Sequence, residues 1–380
     1  MRVGIVAYWF NRGQGVVARQ LRSALDDLGH ETFVLARPTR KTNIRPDWVD
    51  EEGVWAQGGI TRGSDYLIPG EEYEAWAEAL APDVVLFDQN YQFAEIERLR
   101  RSGVRTAGRF VWEHFAAEHV DPARGAFDAI YSLTACERER YAEMGIESPR
   151  VRWGCHPELL AYGQAEGGRR TADGDAVTFL FPGGFMSKRK PLAETIEAFR
   201  AAQGDRLRLL VKAQVERQRT AVERMARGGS RIGRRDRRIE LITDDLPTER
   251  YLRMLAAADV CLAPSRWEGL GLHLYEATAL GVPIVTNDNP PMNEIVRDGD
   301  NGLLVPGIPD AEARSGIPAF RPDVAALTNA IERLRDDGLR DELAAGARRR
   351  REELSWEATR ADLAELLARV GPESAGPAPL

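Results

Sequence analysis

Two carboxylates flank a glycine-rich turn in the second half of the chain. Glu268 precedes the turn Gly269-Leu-Gly271, and Glu276 follows Glu268 by eight residues. The surrounding pattern predicts a strand, a tight turn and a helix that begins near Leu272. Glycines let the backbone approach a ligand closely, and the free N–H groups and positive dipole end of a helix start attract phosphate. The segment is therefore predicted to bind an anion through its backbone, although a favourable contact with the helix dipole would also explain Glu276.

A second candidate anion site follows the predicted strand Thr178–Phe181. A glycine-bearing loop there ends in Lys188-Arg189-Lys190, immediately before an amphipathic helix. The 52 basic residues of the chain include only four lysines, so each lysine is notable. A lysine at a helix start opposes the helix dipole, and Lys190 is therefore predicted to serve an anionic group. Lys212, which ends the predicted strand Leu207–Val211, is a further candidate at the same edge of the sheet.

The elements that position these residues indicate an α/β fold. Apolar β-rich runs alternate with helical segments over 380 residues, which favours two domains with parallel sheets covered by helices. Two Rossmann-like domains facing each other across a cleft would place ligands at the carboxyl ends of the strands. The predicted strands are Val3–Ala7, Glu31–Ala36, Val84–Phe87, Thr106–Val111, Ala129–Leu133, Thr178–Phe181, Leu207–Val211, Ile239–Ile242, Val260–Ala263, Pro283–Thr286 and Gly302–Val305.

The predicted domain limits follow from the same pattern. Residues 1–160 form an N-terminal domain, a polar glycine-rich linker covers 161–175, and residues 176–350 form a C-terminal domain. A C-terminal helix over 351–370 is expected to pack back toward the N-terminal domain. The tail 371–380, rich in Pro, Gly and Ala, is expected to be disordered.

Charge and composition exclude several classes of protein. A net charge of -7 and a pI near 5.5 argue against nucleic-acid binding. No apolar stretch approaches the roughly 20 residues of a membrane helix, which predicts no integral membrane association, and the start does not resemble a signal peptide. Three scattered cysteines, Cys136, Cys155 and Cys261, suggest a reducing, cytoplasmic location and show no metal-ligand spacing. A homodimer is compatible with the sequence.

The carboxylate segment resembles the signature of a known family. The pattern is similar to that of retaining GT-B glycosyltransferases of family 4, the glycosyl transferases group 1 type, and it extends over more than 40 residues. The residues that carry the resemblance are Pro264-Ser265, Glu268-Gly-Leu-Gly271, Glu276-Ala277, Gly281-Val-Pro-Ile-Val285, Asn289-Pro-Pro-Met-Asn-Glu294 and Asp298-Gly-Asp-Asn-Gly-Leu-Leu-Val-Pro306.

The resemblance implies roles for individual residues of the donor half. Glu268 would contact hydroxyls of the transferred sugar as a catalytic residue, and Glu276 would hold the ribose. Lys190 would neutralise the leaving diphosphate. The remaining donor-binding candidates are Gly15, Gly184, Lys212 and the backbone at Gly271, Leu272 and His273.

Two positions depart from the family pattern. His273 replaces an apolar residue or proline, so it either tunes the donor site or caps the first helical turn. Gly184 replaces an arginine that commonly follows the strand, and Lys188 or Arg189 would then substitute for it.

The N-terminal half is predicted to bind the acceptor. Gly13 and Gly15 fit the family's glycine loop near the donor phosphates, although a plain tight turn would need similar residues. Glu113 and His114 lie where the family carries a histidine or acidic residue near the reacting carbon, with an ordinary loop position as the alternative. The irregular passage 37–64 is expected to shape acceptor choice.

The resulting prediction is a hexosyltransferase-type enzyme. It would move a sugar from a nucleoside diphosphate sugar to a small soluble acceptor such as a secondary metabolite, with retention of configuration, without metal and without a bound cofactor. A GT-B-fold epimerase or phosphorylase and a noncatalytic partner subunit are the competing interpretations. The assignment predicts that Glu268→Ala and Lys190→Ala abolish transfer and leave folding largely intact.

Overall fold

The computed structural model describes residues 1–42, 45–163, 176–184, 187–204, 206–213, 236–313 and 315–372. The chain divides into two compact units, one formed by Met1–Trp153 together with the segment from Trp356 onward and the other by Gly154–Ser355. The predicted linker 161–175 lies outside the described residues from 164 onward, and the predicted tail 371–380 does so from 373 onward.

The first unit contains a six-stranded parallel sheet. Its order, β3-β2-β1-β4-β5-β6, reverses direction at β1, which is the arrangement of a Rossmann-like fold. The strands are β1 (Arg2–Tyr8), β2 (Glu31–Arg37), β3 (Ile60–Arg62), β4 (Val84–Asp88), β5 (Arg105–Arg109) and β6 (Ala129–Ile130). The helices of the first half are α1 (Gly13–Asp27), α2 (Gly70–Leu80), α3 (Phe93–Arg101), α4 (Val120–Ala126) and α5 (Ala135–Glu143), with short 3-10 turns at Gly53–Trp55 and Ala117–His119.

The second unit repeats this architecture. Its parallel sheet has the order β12-β11-β10-β7-β8-β9, and an antiparallel hairpin, β13-β14, follows β12. The strands are β7 (Val177–Gly184), β8 (Leu207–Ala213), β9 (Ile239–Ile242), β10 (Val260–Leu262), β11 (Ile284–Asn287), β12 (Gly302–Val305), β13 (Gly307–Glu312) and β14 (Pro318–Pro322). The described helices are α6 (Pro157–Leu160), α7 (Leu192–Ala201), α8 (Thr248–Ala257), α9 (Leu272–Ala279), α10 (Met292–Ile295), α11 (Val324–Arg333) and α12 (Asp337–Glu353).

Burial on both faces explains why these apolar runs form central parallel strands. Every residue of β4 is buried, as are the first seven residues of β7. A strand covered by helices on both sides loses the alternation of polar and apolar residues, so it appears in the sequence as a continuous apolar run. All eleven strands predicted from the sequence are present, each overlapping its predicted range. The sequence did not predict β3 or the β13-β14 hairpin.

A final helix, α13 (Trp356–Val370), belongs to the first unit. The Trp356 ring meets the Trp153 ring edge to face with centroids 5.2 Å apart. Asp362 accepts two hydrogen bonds of 2.7 Å from the guanidinium of Arg152 and a further one of 2.8 Å from its backbone N–H. The helix is therefore held by apolar packing and by a bidentate ion pair, which is the strongest geometry for an arginine and a carboxylate.

Candidate functional site

The glycine turn of the second unit opens directly onto α9. Gly271 is the N-cap of this helix and has a φ of 79°, in the left-handed region that favours glycine. A Cβ atom at this position would also lie 3.2 Å from the Leu274 side chain. Leu272 is the first helical residue, as the sequence predicted, so the unpaired N–H groups of the first turn lie at the carboxyl end of β10. This geometry suits an anion, because N–H groups and the dipole act in the same direction.

Lys190 and Glu268 form a buried ion pair beside this turn. The Nζ of Lys190 donates to Glu268 Oε1 at 2.6 Å and to Ser265 Oγ at 3.0 Å. Both charged side chains are only 5% exposed, and Arg189 lies 3.4 Å from the other Glu268 oxygen. Burial raises the pKa of Glu268, but the charges of Arg189 and Lys190 outweigh burial and hold this pKa well below its ordinary value. Glu268 is therefore ionised throughout the physiological range.

The neighbouring His273 is a neutral imidazole. Its Nε2 lies 3.9 Å from Glu268 Oε1. Burial, followed by the nearby Lys190 charge, lowers the pKa of His273 to about 3. At neutral pH this side chain therefore adds no positive charge, and it lines the ion pair as an uncharged polar group.

Glu276 has a different environment from Glu268. It lies in the second turn of α9 and accepts a hydrogen bond of 3.0 Å from the hydroxyl of Tyr251, on α8. Burial raises the pKa of Glu276 to about 7. The two glutamates of the motif thus differ in charge state, since one is fixed as a carboxylate and the other titrates near neutrality. Tyr251 was not predicted from the sequence, where it is one residue of an ordinary amphipathic helix.

Lys212 and Gly184 lie at the ends of neighbouring strands. Lys212 is 2% exposed and donates to the carbonyls of Ala213 and Asp244 at 3.1 and 2.8 Å, which ties the end of β8 to the loop before α8. Gly184 ends β7 with a φ of 55°, and a Cβ there would meet no atom within 4 Å. Of the two proposed substitutes for the absent arginine, Arg189 approaches Glu268.

The hairpin that the sequence did not predict contacts Arg266, which lies in the loop between β10 and the glycine turn. The Arg266 guanidinium pairs with Asp310 of β13 at 2.7 Å and donates to the carbonyl of Lys188 at 3.2 Å. Its backbone N–H donates to the carbonyl of Arg189 at 2.9 Å. Arg266 thus connects its own loop to the loop that contains Lys188 and Arg189 and to the β13-β14 hairpin.

Among the candidates of the first unit, Glu113 and His114 lie in the loop after β5, whereas Gly13 and Gly15, which were predicted to lie in a glycine loop, form the start of α1. Gly15 is in the first turn of α1, and a Cβ there would lie 2.1 Å from the carbonyl oxygen of Phe10. Glu113 and His114 follow β5, and His114 Nε2 lies 3.6 Å from Glu113 Oε1. The Glu113 side chain is 9% exposed and that of His114 is 49% exposed. Of the two side chains, only that of His114 is substantially exposed, at about half of its surface.

Within the described segments, no three His, Cys, Asp or Glu side chains are grouped closely enough to hold a metal ion. None of the helices described there has both the length and the apolar character needed to cross a membrane.

Solved structures share the fold of the whole chain. Sucrose-phosphate synthase from Thermosynechococcus elongatus superposes with a TM-score of 0.72 at 18% identity, covering 96% of this chain and 98% of that one. The Anabaena protein HepE, solved in complex with UDP and glucose, gives a TM-score of 0.68 at 13% identity over 97% and 99% of the two chains. The chain therefore has the GT-B fold, as the sequence predicted.

The sequence comparisons identify the second unit more closely. A family model described as Glycosyl transferases group 1 matches residues 176–337. D-inositol 3-phosphate glycosyltransferase of Acidothermus cellulolyticus is 35% identical over 114 residues, which are 30% of this chain and 22% of that protein. Alpha-D-kanosaminyltransferase of Streptomyces kanamyceticus is 32% identical over 116 residues, 30% and 26% of the two. Residues 176–337 of the second unit are thus similar to the glycosyl transferases group 1 family. The matched stretches span about a quarter of these relatives.

Proposed function

We propose that this chain is a glycosyltransferase that moves a sugar from a nucleoside diphosphate sugar to a small soluble acceptor. The observation that carries the proposal is the buried Lys190–Glu268 pair beside the N-terminus of α9. The family of the second unit and the UDP and glucose bound to the structurally similar HepE support the same donor class.

The chemistry follows from the charges at this site. Negative charge grows on the leaving diphosphate as the glycosidic bond breaks, and preorganised cations and N–H groups stabilise it. Lys190 and Arg189 supply the cations, and the start of α9 supplies the N–H groups. Glu268, kept ionised by the same cations, is a strong acceptor for hydroxyls of the sugar. These fixed charges can stabilise the leaving group without a metal ion.

Glu276 is proposed to hold the ribose of the donor. Two vicinal hydroxyls pair well with one carboxylate, and the hydroxyl of Tyr251 orients the Glu276 side chain from α8. Retention of configuration is proposed from the resemblance of the Glu268–Glu276 spacing to that of retaining enzymes. A cytoplasmic location is proposed because Cys136, Cys155 and Cys261 are all buried free thiols.

The test is a binding screen followed by turnover. Thermal unfolding is measured with UDP, GDP, dTDP and ADP sugars, since a ligand that binds only the folded chain raises the midpoint. The donor that binds is then incubated with and without candidate acceptors. Nucleotide release that grows with acceptor supports a transferase. Isomerisation of the donor alone identifies an epimerase, sugar phosphate formed from phosphate identifies a phosphorylase, and binding without any turnover identifies a noncatalytic subunit.

A matched pair of variants ties the result to the site. Lys190→Ala removes the buried cation, whereas Arg208→Gln removes an exposed cation of the same unit that pairs with Glu240 on a neighbouring strand. Donor protection lost in Lys190→Ala and kept in Arg208→Gln supports the assignment. Equal protection in both variants would contradict it.

A further inference from the structure

Four aromatic rings form a continuous row at the carboxyl edge of the first sheet. The Tyr66 and Tyr8 centroids are 6.2 Å apart, Tyr8 and Phe10 are 5.1 Å apart, and Phe10 stacks on Trp48 at 4.6 Å. Tyr8 is the last residue of β1, and the other three residues lie in loops that follow β1, β2 and β3. This aromatic row therefore occupies the edge of a parallel sheet at which α/β folds bind their ligands.

Four arginines stack on the aromatic row. The guanidinium carbons of Arg37 and Arg40 lie 4.6 and 4.3 Å from the centre of the Tyr66 ring. Those of Arg12 and Arg45 lie 4.7 and 4.6 Å from the Trp48 ring. Stacking on an aromatic face holds a guanidinium in place and leaves its N–H edge available to other partners.

Neither Arg37 nor Arg40 has a carboxylate within ion-pair distance among the described residues, although the Arg37 charge acts on the buried Asp88, whose pKa is raised by burial, and opposes that rise. Arg37, which is 1% exposed, donates to the carbonyls of Tyr66, Asp88 and Gln89, and Arg40 donates to the hydroxyl of Tyr66 at 3.0 Å.

The basic residues next to this pair are neutralised. Lys41 pairs with Asp65 at 3.0 Å, and Arg62 pairs with Glu51 at 3.4 Å. Lys41 and Arg62 are therefore each matched by a carboxylate, unlike Arg40, which lies over the Tyr66 ring.

The two arginines also affect the pKa of the Tyr66 hydroxyl. Burial acts to raise the pKa of Tyr66, yet the charge of Arg37 and the hydrogen bond from Arg40 outweigh burial, so this pKa is lower than its ordinary value. The pKa of the neighbouring Tyr8 is raised, first by burial and then by the charge of Tyr66, so the lowering is confined to the Tyr66 hydroxyl.

We propose that Arg40, Tyr66 and Tyr8, with the buried Arg37 behind them, form an anion subsite for the acceptor, and that the acceptor carries a phosphate monoester. Several guanidiniums along one row suit a doubly charged phosphate better than a single carboxylate. The aromatic row continues from this subsite to Trp48 and offers apolar ring faces for the body of the acceptor. This inference rests on the proposed glycosyltransferase function, because it names the acceptor class of that enzyme.

The experiment titrates the full chain with inorganic phosphate by calorimetry, at constant ionic strength in a chloride buffer. Wild type is compared with Arg40→Gln and with the control Arg62→Gln, which removes a nearby exposed arginine outside the aromatic row. We expect phosphate to bind wild type and Arg62→Gln alike, and to bind Arg40→Gln about tenfold more weakly or worse. A parallel titration with acetate tests whether a single carboxylate binds as tightly as phosphate.

Three results would overturn the proposal. They are unchanged phosphate affinity in Arg40→Gln, no phosphate binding by wild type up to about 10 mM, and acetate binding as tight as phosphate. Binding of a nucleoside diphosphate to wild type is measured on the same preparation. If wild type binds the nucleotide but not phosphate, only the proposed anion subsite is contradicted. If wild type does not bind the nucleotide, the proposed donor site is contradicted.

Discussion

The two sheets treat positive charge differently at their carboxyl ends. In the second unit, Lys190 and Arg189 face Glu268, so the cations are already matched by a buried carboxylate. In the first unit, Arg37 and Arg40 lie on a tyrosine ring, and neither has a carboxylate within ion-pair distance among the described residues. A matched cation is held in one geometry until a ligand competes for it, whereas an unmatched cation creates a standing attraction for anions. We therefore expect the second unit to position a bound anion and the first unit to attract an anion from solution.

The largest expected effect comes from breaking the matched pair. Lys190→Ala leaves Glu268 buried without its main partner, which costs about 3–5 kcal/mol of unfolding free energy. We expect transfer to fall by about 10²–10³-fold or more, because an electrostatic group at the leaving phosphate is lost. Urea unfolding and initial rates with the identified donor measure the two effects. The burial of the pair thus changes the expectation from sequence that folding would remain largely intact.

A double variant separates the two effects. Lys190→Met combined with Glu268→Gln removes both charges at similar volume, so we expect most of the stability to return and transfer to remain lost. A double variant as unstable as Lys190→Ala would show that the ion pair is not the cause of the destabilisation.

The glycines of the two units provide the next comparison. A Cβ at Gly15 would meet the backbone oxygen of Phe10 at 2.1 Å, so Gly15→Ala must displace the loop, at a cost of about 3 kcal/mol. Gly271→Ala meets only a side chain and must adopt a left-handed φ, which costs about 1–2 kcal/mol. Denaturant midpoints measure both changes.

Two further glycines serve as controls. Gly29 has a φ of 80° with no atom near its Cβ position, and Gly58 has neither restriction. Gly29→Ala should lose about 1–2 kcal/mol from the left-handed φ alone, and Gly58→Ala should be near neutral. If Gly15→Ala proves no costlier than Gly29→Ala, the close approach of Phe10 does not restrain the loop.

The smallest expected effect is a pH dependence that belongs to the second unit. If ribose hydroxyls donate to the Glu276 carboxylate, donor binding requires the ionised form, and its pKa is about 7. Affinity for the donor nucleotide should therefore rise about tenfold between pH 6 and pH 8. The same titration of Glu276→Gln corrects for ionisation of the nucleotide itself. An equal pH dependence in both proteins would remove Glu276 from the ribose site.

The same raised pKa has a consequence for folding with the opposite sign. Because the folded chain holds the Glu276 proton more tightly than the unfolded chain, this group contributes stability below its ordinary pKa of 4.5. That contribution is lost as the pH rises through about 7. Stability and donor binding should thus change in opposite directions over this range.

The sequence predicted which residues meet at the candidate site of the second unit because most of them are close together along the chain. Glu268, Gly271 and Glu276 fall within nine residues, and the basic loop that contains Lys190 ends at the start of the next helix. Local spacing, glycine placement and continuous apolar runs were enough to place this site at the end of a parallel sheet. The central strands β4 and β7 were predictable for the same reason, since a strand buried on both faces leaves a local apolar signature.

The features that the sequence did not reveal depend on contacts between distant residues. Tyr251 reaches Glu276 from a different helix, and Asp310 reaches Arg266 from the unpredicted hairpin. The aromatic row combines residues of three loops, and the passage 37–64 contains the short strand β3 that no periodicity marked. Burial of Lys190 against Glu268 was also hidden, because neither residue type predicts a buried position.

Because the last helix belongs to the first unit, that unit cannot be completed until the whole second unit has been translated. The strands and helices of Met1–Trp153 leave the ribosome first, but α13, which covers α1 and pairs with Arg152, is translated some 200 residues later. At 5–20 residues per second, the first unit waits roughly 10–40 s for its final element. During that interval its apolar face, later covered by Leu363, Leu366 and Leu367, remains open to chaperones or to misassembly. Completion of the first unit is thus timed by translation of the second.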